Sequence, residues 1–165
     1  PHPHRGFETV TYLLAGNMCH KDSAGHEGVI RSGGVQWMTA GSGIEHSEMP
    51  QQVAGEMSGF QLWVNLPAGQ KMSPPRYQEF EPEAIPVEEL VDGTRIRVIA
   101  GTTAGGTEGA VTQIAAQPIY FDVTLPTGGS LHQPIPRGHN AFVKMIEGRL
   151  AVDHELHGPA ASCPA

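Results

Sequence analysis

The chain has 165 residues, enough for one ordinary domain or a little more. Its 21 glycines and 14 prolines, with only 16% charged residues, fit a loop-rich all-β protein better than a helical one. Seventeen acidic against ten basic side chains give a net charge of −7, with the basic residues scattered, which excludes a global basic field for gripping nucleic-acid phosphates.

No apolar run approaches membrane-spanning length, and no charged start followed by an apolar core reads as a signal peptide. Cys19 and Cys163 are too few for a disulfide framework and favour a reducing compartment. The default expectation is a soluble cytoplasmic protein, or a nuclear one in a eukaryote.

In chain order, His2-Pro3-His4 leads through Arg5-Gly6 into the β-branched and aromatic run of residues 7–15, which Gly16-Asn17 ends as a tight turn. Further strands are predicted at 18–22, 28–31 and 35–40, the last entering the turn Gly41-Ser42-Gly43 and then Ile44-Glu45-His46-Ser47-Glu48. Residues 60–66 read as a mostly buried strand. Across 67–95, Pro67, Pro74, Pro75, Pro82 and Pro86 exclude a long helix or a central strand and predict a surface-wrapping connector, with one helical turn at Glu88-Glu89-Leu90. Residues 95–100 and 119–125 are the remaining predicted strands before Pro134. Short strands between glycine turns argue for a sandwich or barrel.

The segment Pro134-Ile135-Pro136-Arg137-Gly138 repeats the frame of His2-Pro3-His4-Arg5-Gly6, and both copies run in step to Gly16 and Gly148. The repeat predicts a strand at 140–147 matching 8–15, with Asn140 in the place of Glu8. Prolines stand at both histidine positions of the second copy, so only the first can bind a metal. The offset between the copies predicts two tandem barrels, both incomplete in this chain. Residues 1–109 would form an N-terminal metal-binding barrel with its proline-rich connector, and 110–165 the beginning of a metal-free one. The tail from His154 is expected to be disordered.

His2 and His4 are spaced i and i+2, as are His46 and Glu48, and such pairs project from one face of a strand. Three imidazoles and a carboxylate from two facing strands suit iron, manganese, nickel, copper or zinc and leave positions open for substrate or oxygen. Glu8 is the rival carboxylate. It has the parity of His2 and His4 if the strand is unbroken, and could ligate the metal or hydrogen-bond to a ligating histidine. Glu45 has the wrong parity and is expected to face solvent. His20, His26, His154 and His157 read as surface residues, and His132 and His139 as structural. Trp37, Trp63, Phe60 and Met38 read as core, and Cys19 as a small buried hydrophobe.

The run HPHRGFETVTYLLAG followed by GVIRSGGVQWMTAGSGIEHSEMP resembles the pirin family of the cupin superfamily, as do KMSPPRYQEF, RIRVIAG and HQPIPRGHNAFVKMIEG. The resemblance implies a bicupin of two β-barrels (cupin, double-stranded β-helix or jelly-roll barrels), the first holding Fe(II) through His2, His4, His46 and Glu48, with Glu48 rather than Glu8 as the carboxylate ligand. It implies one of two functions. The first is quercetin 2,3-dioxygenase-type opening of a flavonol with O2, in which Glu48 is both ligand and candidate base. The alternative is an iron-dependent redox-sensing protein that acts on transcription through a protein partner. The ligand motif serves both.

Overall fold

The computed structural model describes residues 1–51 and 55–152. The chain divides into two compact units, Pro1–Leu131 and His132–Ala165. The first is built almost entirely from antiparallel strands: β1 His2–His4, β2 Phe7–Ala15, β3 Asn17–Asp22, β4 Glu27–Arg31, β5 Val35–Thr39, β6 Ile44–Pro50, β7 Ser58–Asn65, β8 Arg76–Phe80, β9 Val87–Glu89, β10 Arg95–Ala100 and β11 Tyr120–Thr124. They form a four-stranded sheet in the order β1-β6-β3-β4, a second in the order β7-β2-β5-β8, and a three-stranded sheet in the order β11-β10-β9. This is the all-β, cupin-type architecture expected from the sequence.

The second sheet is the centre of the unit because both of its faces are used. Glu8 pairs with Thr39, Val10 with Trp37 and Tyr12 with Val35, so these six side chains share one face. That face packs Val10, Tyr12, Val35 and Trp37 against Ile85, Ile99, Ala100 and Val111, with Leu62, Val64 and Phe80 around them. The opposite face carries Thr11, Gln36, Gln61, Trp63, Tyr77 and Glu79, and it meets the first sheet through contacts such as Thr11 to Glu48 and Glu79 to His20. β5 is buried along its whole length, as a strand packed on both sides must be.

Several expectations need correction. The proline-rich segment contributes β8 to the sheet edge, paired with β5. Pro74 and Pro75 precede that strand, so its ladder lacks no N–H. Glu88-Glu89 belongs to strand β9, held by β10, while one-turn 3-10 helices stand at Ala68–Gln70 and Pro82–Ala84. Within the second unit, no strand forms at 140–147. Its chain turns at Pro136–His139, and Phe142 and Ile146 stay exposed. A strand-like sequence there needs a partner strand to complete its ladder, and this unit holds none among its described residues. His132 and His139 are exposed. His154, His157 and Cys163 lie outside the described residues. Among the described residues, no helix is long and apolar enough to cross a membrane.

Candidate metal centre

β1 lies antiparallel to β6 with His2 directly opposite His46 and His4 opposite Ile44. The i,i+2 parity keeps His4 on the face of His2, so three imidazoles from two strands turn to one point. The ring centroids of His2 and His4, His2 and His46, and His4 and His46 are 4.6, 4.5 and 4.9 Å apart. One ligand nitrogen from each ring lies within 4.8 Å of the other two. The turn after β1 and the turn before β6 are tied together, because the Gly6 amide donates to the Gly41 carbonyl at 2.8 Å. Gly41 has φ +51°, and a Cβ there would meet the Ser73 carbonyl oxygen at 2.1 Å, so this loop requires glycine.

His4 and His46 are buried, whereas His2 is exposed. His2 Nε2 and His46 Nε2 are 3.0 Å apart. Buried His4 Nε2 and His46 Nδ1 have no hydrogen-bond partner. Burial, then the neighbouring His2, pulls the His4 pKa down against the opposing pull of Glu48. Burial likewise lowers that of His46; Glu48 opposes it, and His2, His4 and His20 reinforce it. Both rings are therefore biased toward the neutral, metal-binding form. Crowded, neutral imidazoles with unsatisfied buried nitrogens fit a divalent ion of the nitrogen-binding class.

Glu48 lies two residues along β6 from His46, but its carboxylate is not part of the tight three-histidine group. It is held at the rim: Gln61 Nε2 donates to Oε2 at 2.9 Å and to Oε1 at 3.1 Å, and Thr11 Oγ1 donates to Oε1 at 3.2 Å. Glu8 is placed elsewhere. It sits on the far face of β2, 1% exposed, and accepts a 2.6 Å bond from Thr39 Oγ1. There it lines a cavity of about 330 Å³ with Thr39, Leu66, Ser73 and Arg76. The expectation that Glu8 supports the histidines is corrected: the break at Arg5-Gly6 inverts its parity. Glu45 is exposed, as its parity requires.

Two neighbours of the site differ from the sequence expectation. His20 is 4% exposed, with Nε2 2.8 Å from Glu79 Oε2, and its ring stacks with Tyr77. Its bond to Glu79, helped by Gln36 and opposed by burial, holds the Glu79 carboxyl below the usual range. The signal was available, since Met18, His20 and Asp22 share one parity and all three are buried. Trp63 is 62% exposed rather than core; its ring stands 5.8 Å from that of His4 and 4.9 Å from that of Phe7, and its Nε1 donates to Gln61 Oε1 at 3.3 Å. β7 is an edge strand, so the face opposite Leu62 and Val64 is covered on one side only. Cys19 is half-buried and free.

Comparison with known proteins agrees with this architecture. Residues 1–64 match the family model described as Pirin. A pirin-like protein of Caulobacter vibrioides is 55% identical over 93% of this chain and 56% of its own length. A Pseudomonas aeruginosa protein carrying a provisional quercetin 2,3-dioxygenase name is 50% identical over 93% of this chain and 55% of its own. The crystal structure of a quercetin 2,3-dioxygenase from Acinetobacter baumannii superposes with a TM-score of 0.60 at 48% identity, covering 68% of this chain and 40% of that one. The chain thus spans about half the length of the curated relatives it matches. With its facing antiparallel sheets and its histidines at one point between β1 and β6, the chain is similar to the pirin family.

Proposed function

We propose that this chain carries one divalent metal, Fe(II) in its native state, on His2, His4 and His46 with Glu48 as the fourth ligand. The observation that carries the reading is the convergence of three imidazoles, two of them with buried unpartnered nitrogens. We further propose that the site serves quercetin 2,3-dioxygenase-type chemistry, in which a flavonol is opened with O2. The names of the Pseudomonas and Acinetobacter relatives support this reading. When bound, the metal supplies a Lewis acid and a redox-active centre.

The protein's own groups do the rest. The half-buried Glu48 carboxylate takes the substrate hydroxyl proton, since it is already shaped as an acceptor by Gln61 and Thr11. Trp63 and Phe7, both set edge-to-face against the His4 ring, give a flat aromatic molecule an apolar wall next to the ligands. In the same reading, residues 1–109 are the metal-binding barrel and 110–165 the beginning of a metal-free one, supported by Pro134 and Pro136 at the places of His2 and His4. β10 then pairs with β11 across that boundary.

The test is metal content after anaerobic Fe(II) reconstitution, beside His46→Ala, followed by oxygen uptake with quercetin. About one iron per chain is expected, lost in His46→Ala, with uptake that depends on the bound iron. Iron retained by His46→Ala would reject the ligand set, and bound iron without uptake would reject the dioxygenase chemistry.

A further inference from the structure

We infer that Gln61 is the positioning residue for the Glu48 carboxylate, and that Trp63 fixes the Gln61 side chain in the orientation this requires. The inference rests on the metal reading above and adds residues that the ligand motif does not contain.

Glu48 belongs to β6 in one sheet, and Gln61 to β7 in the facing one. Their bond therefore spans the gap between the sheets beside the histidine cluster. A glutamate in a half-exposed place has rotamers to spare, and parity alone brings it only to the correct face. Its direction is set by three short contacts. Gln61 Nε2 reaches both carboxylate oxygens, at 2.9 and 3.1 Å. Thr11, the cross-strand neighbour of Gln61, adds its hydroxyl to Oε1 at 3.2 Å.

The Gln61 amide has only one chemically consistent orientation. Its oxygen accepts from the Trp63 indole N–H at 3.3 Å while its nitrogen faces the carboxylate. Flipping it would set oxygen against carboxylate and N–H against N–H, losing both bonds. The three residues thus form a chain, Trp63 to Gln61 to Glu48, from an exposed indole to the fourth ligand. All the donors are neutral. A lysine or arginine at position 61 would compensate the charge of Glu48, whereas an amide and a hydroxyl direct the carboxylate and leave its full negative charge for a cation.

Partners that orient metal ligands in this way are worth about ten- to a hundredfold in metal affinity. Gln61 is exposed, so water competes for the same bonds and the low end, about tenfold, is expected.

The test uses the 165-residue chain, with Fe(II) titrated anaerobically and Co(II) as a visible-spectrum probe, in the wild type, Gln61→Leu, Trp63→Phe and His46→Ala. Melting temperatures are measured on the same samples. Gln61→Leu is expected to fold normally, to bind both metals about tenfold more weakly, and to shift the Co(II) ligand-field bands. Trp63→Phe, which removes only the N–H, is expected to give a smaller loss in the same direction. Wild-type binding that His46→Ala abolishes, but that Gln61→Leu leaves within twofold and with an unchanged Co(II) spectrum, overturns this inference and leaves the metal reading standing. A wild type that takes up neither metal overturns both.

Discussion

Asp22 shows how a single residue holds the loop behind the site. Its side chain is fully buried yet stays a carboxylate. Oδ1 accepts from the amides of Ala24 and His26 at 2.8 and 2.9 Å, and Oδ2 lies 2.8 Å from His26 Nδ1. Burial alone would raise its pKa. The His26 hydrogen bonds, with the Ala24 amide, outweigh it and hold the carboxyl below the usual range. Because the folded value lies below the unfolded one of about 3.9, the resulting stability is fully present above about pH 4 and is lost as pH falls through the folded value. Asp22→Ala leaves the two amides without their acceptor and is expected to cost about 1–3 kcal/mol. Denaturation followed from pH 7 down to pH 3 checks this: the gap between variant and wild type should close toward the acid end. A gap that widens there would contradict it.

At the scale of elements, β3 and β4 carry His20 opposite Gly28. A Cβ on Gly28 would stand 2.5 Å from His20 Nε2 and 3.2 Å from Glu79 Oε1. The glycine is therefore required by a neighbour's side chain, not by its own backbone. Gly28→Ala is expected to push His20 off Glu79 and to cost about 1–3 kcal/mol, as overpacking does. Thermal melting gives the stability, and the NMR shift of the His20 ring reports the lost contact; an unmoved ring with full stability would refute it. The strand pairs H-x-H and H-x-E were readable as same-face pairs because a strand has period two. That rule failed for Glu8 because Gly6 lies in a turn at φ +78° between β1 and β2, and parity does not carry through a turn.

On the scale of the whole first unit, the central sheet is joined to the β9–β11 sheet by apolar packing and by a long-range hydrogen bond. Tyr12, 3% exposed on β2, donates its hydroxyl to Asp122 Oδ2 on β11 at 2.6 Å. Burial first, and then Asp122, pushes the Tyr12 pKa up, so the phenol stays a donor throughout the ordinary pH range. Tyr120 beside it is raised to about 12, by burial and then by Asp122. Tyr12→Phe keeps the ring in the core but leaves Asp122 without this donor. A loss of about 1–2 kcal/mol is expected, with faster hydrogen exchange in β10 and β11 than in β5. Uniform exchange across the three strands would speak against a localised joint.

The all-β class, most strand positions and the grouping of the three histidines could be read locally, because strand parity and turn chemistry are properties of a few neighbouring residues. Pro134 and Pro136, at the places of His2 and His4 in the repeated frame, offer no ligand atom. The long-range fold set what faces each strand from the other sheet. It buried His20 against Glu79, turned Glu8 to the far face with Thr39, left Trp63 exposed on an edge strand, and gave the Glu48 carboxylate to Gln61 and Thr11. It also left residues 140–147 without a strand. Each of these outcomes depends on a partner far away in the chain, and a strand's pattern names the face of a side chain without naming what stands across from it.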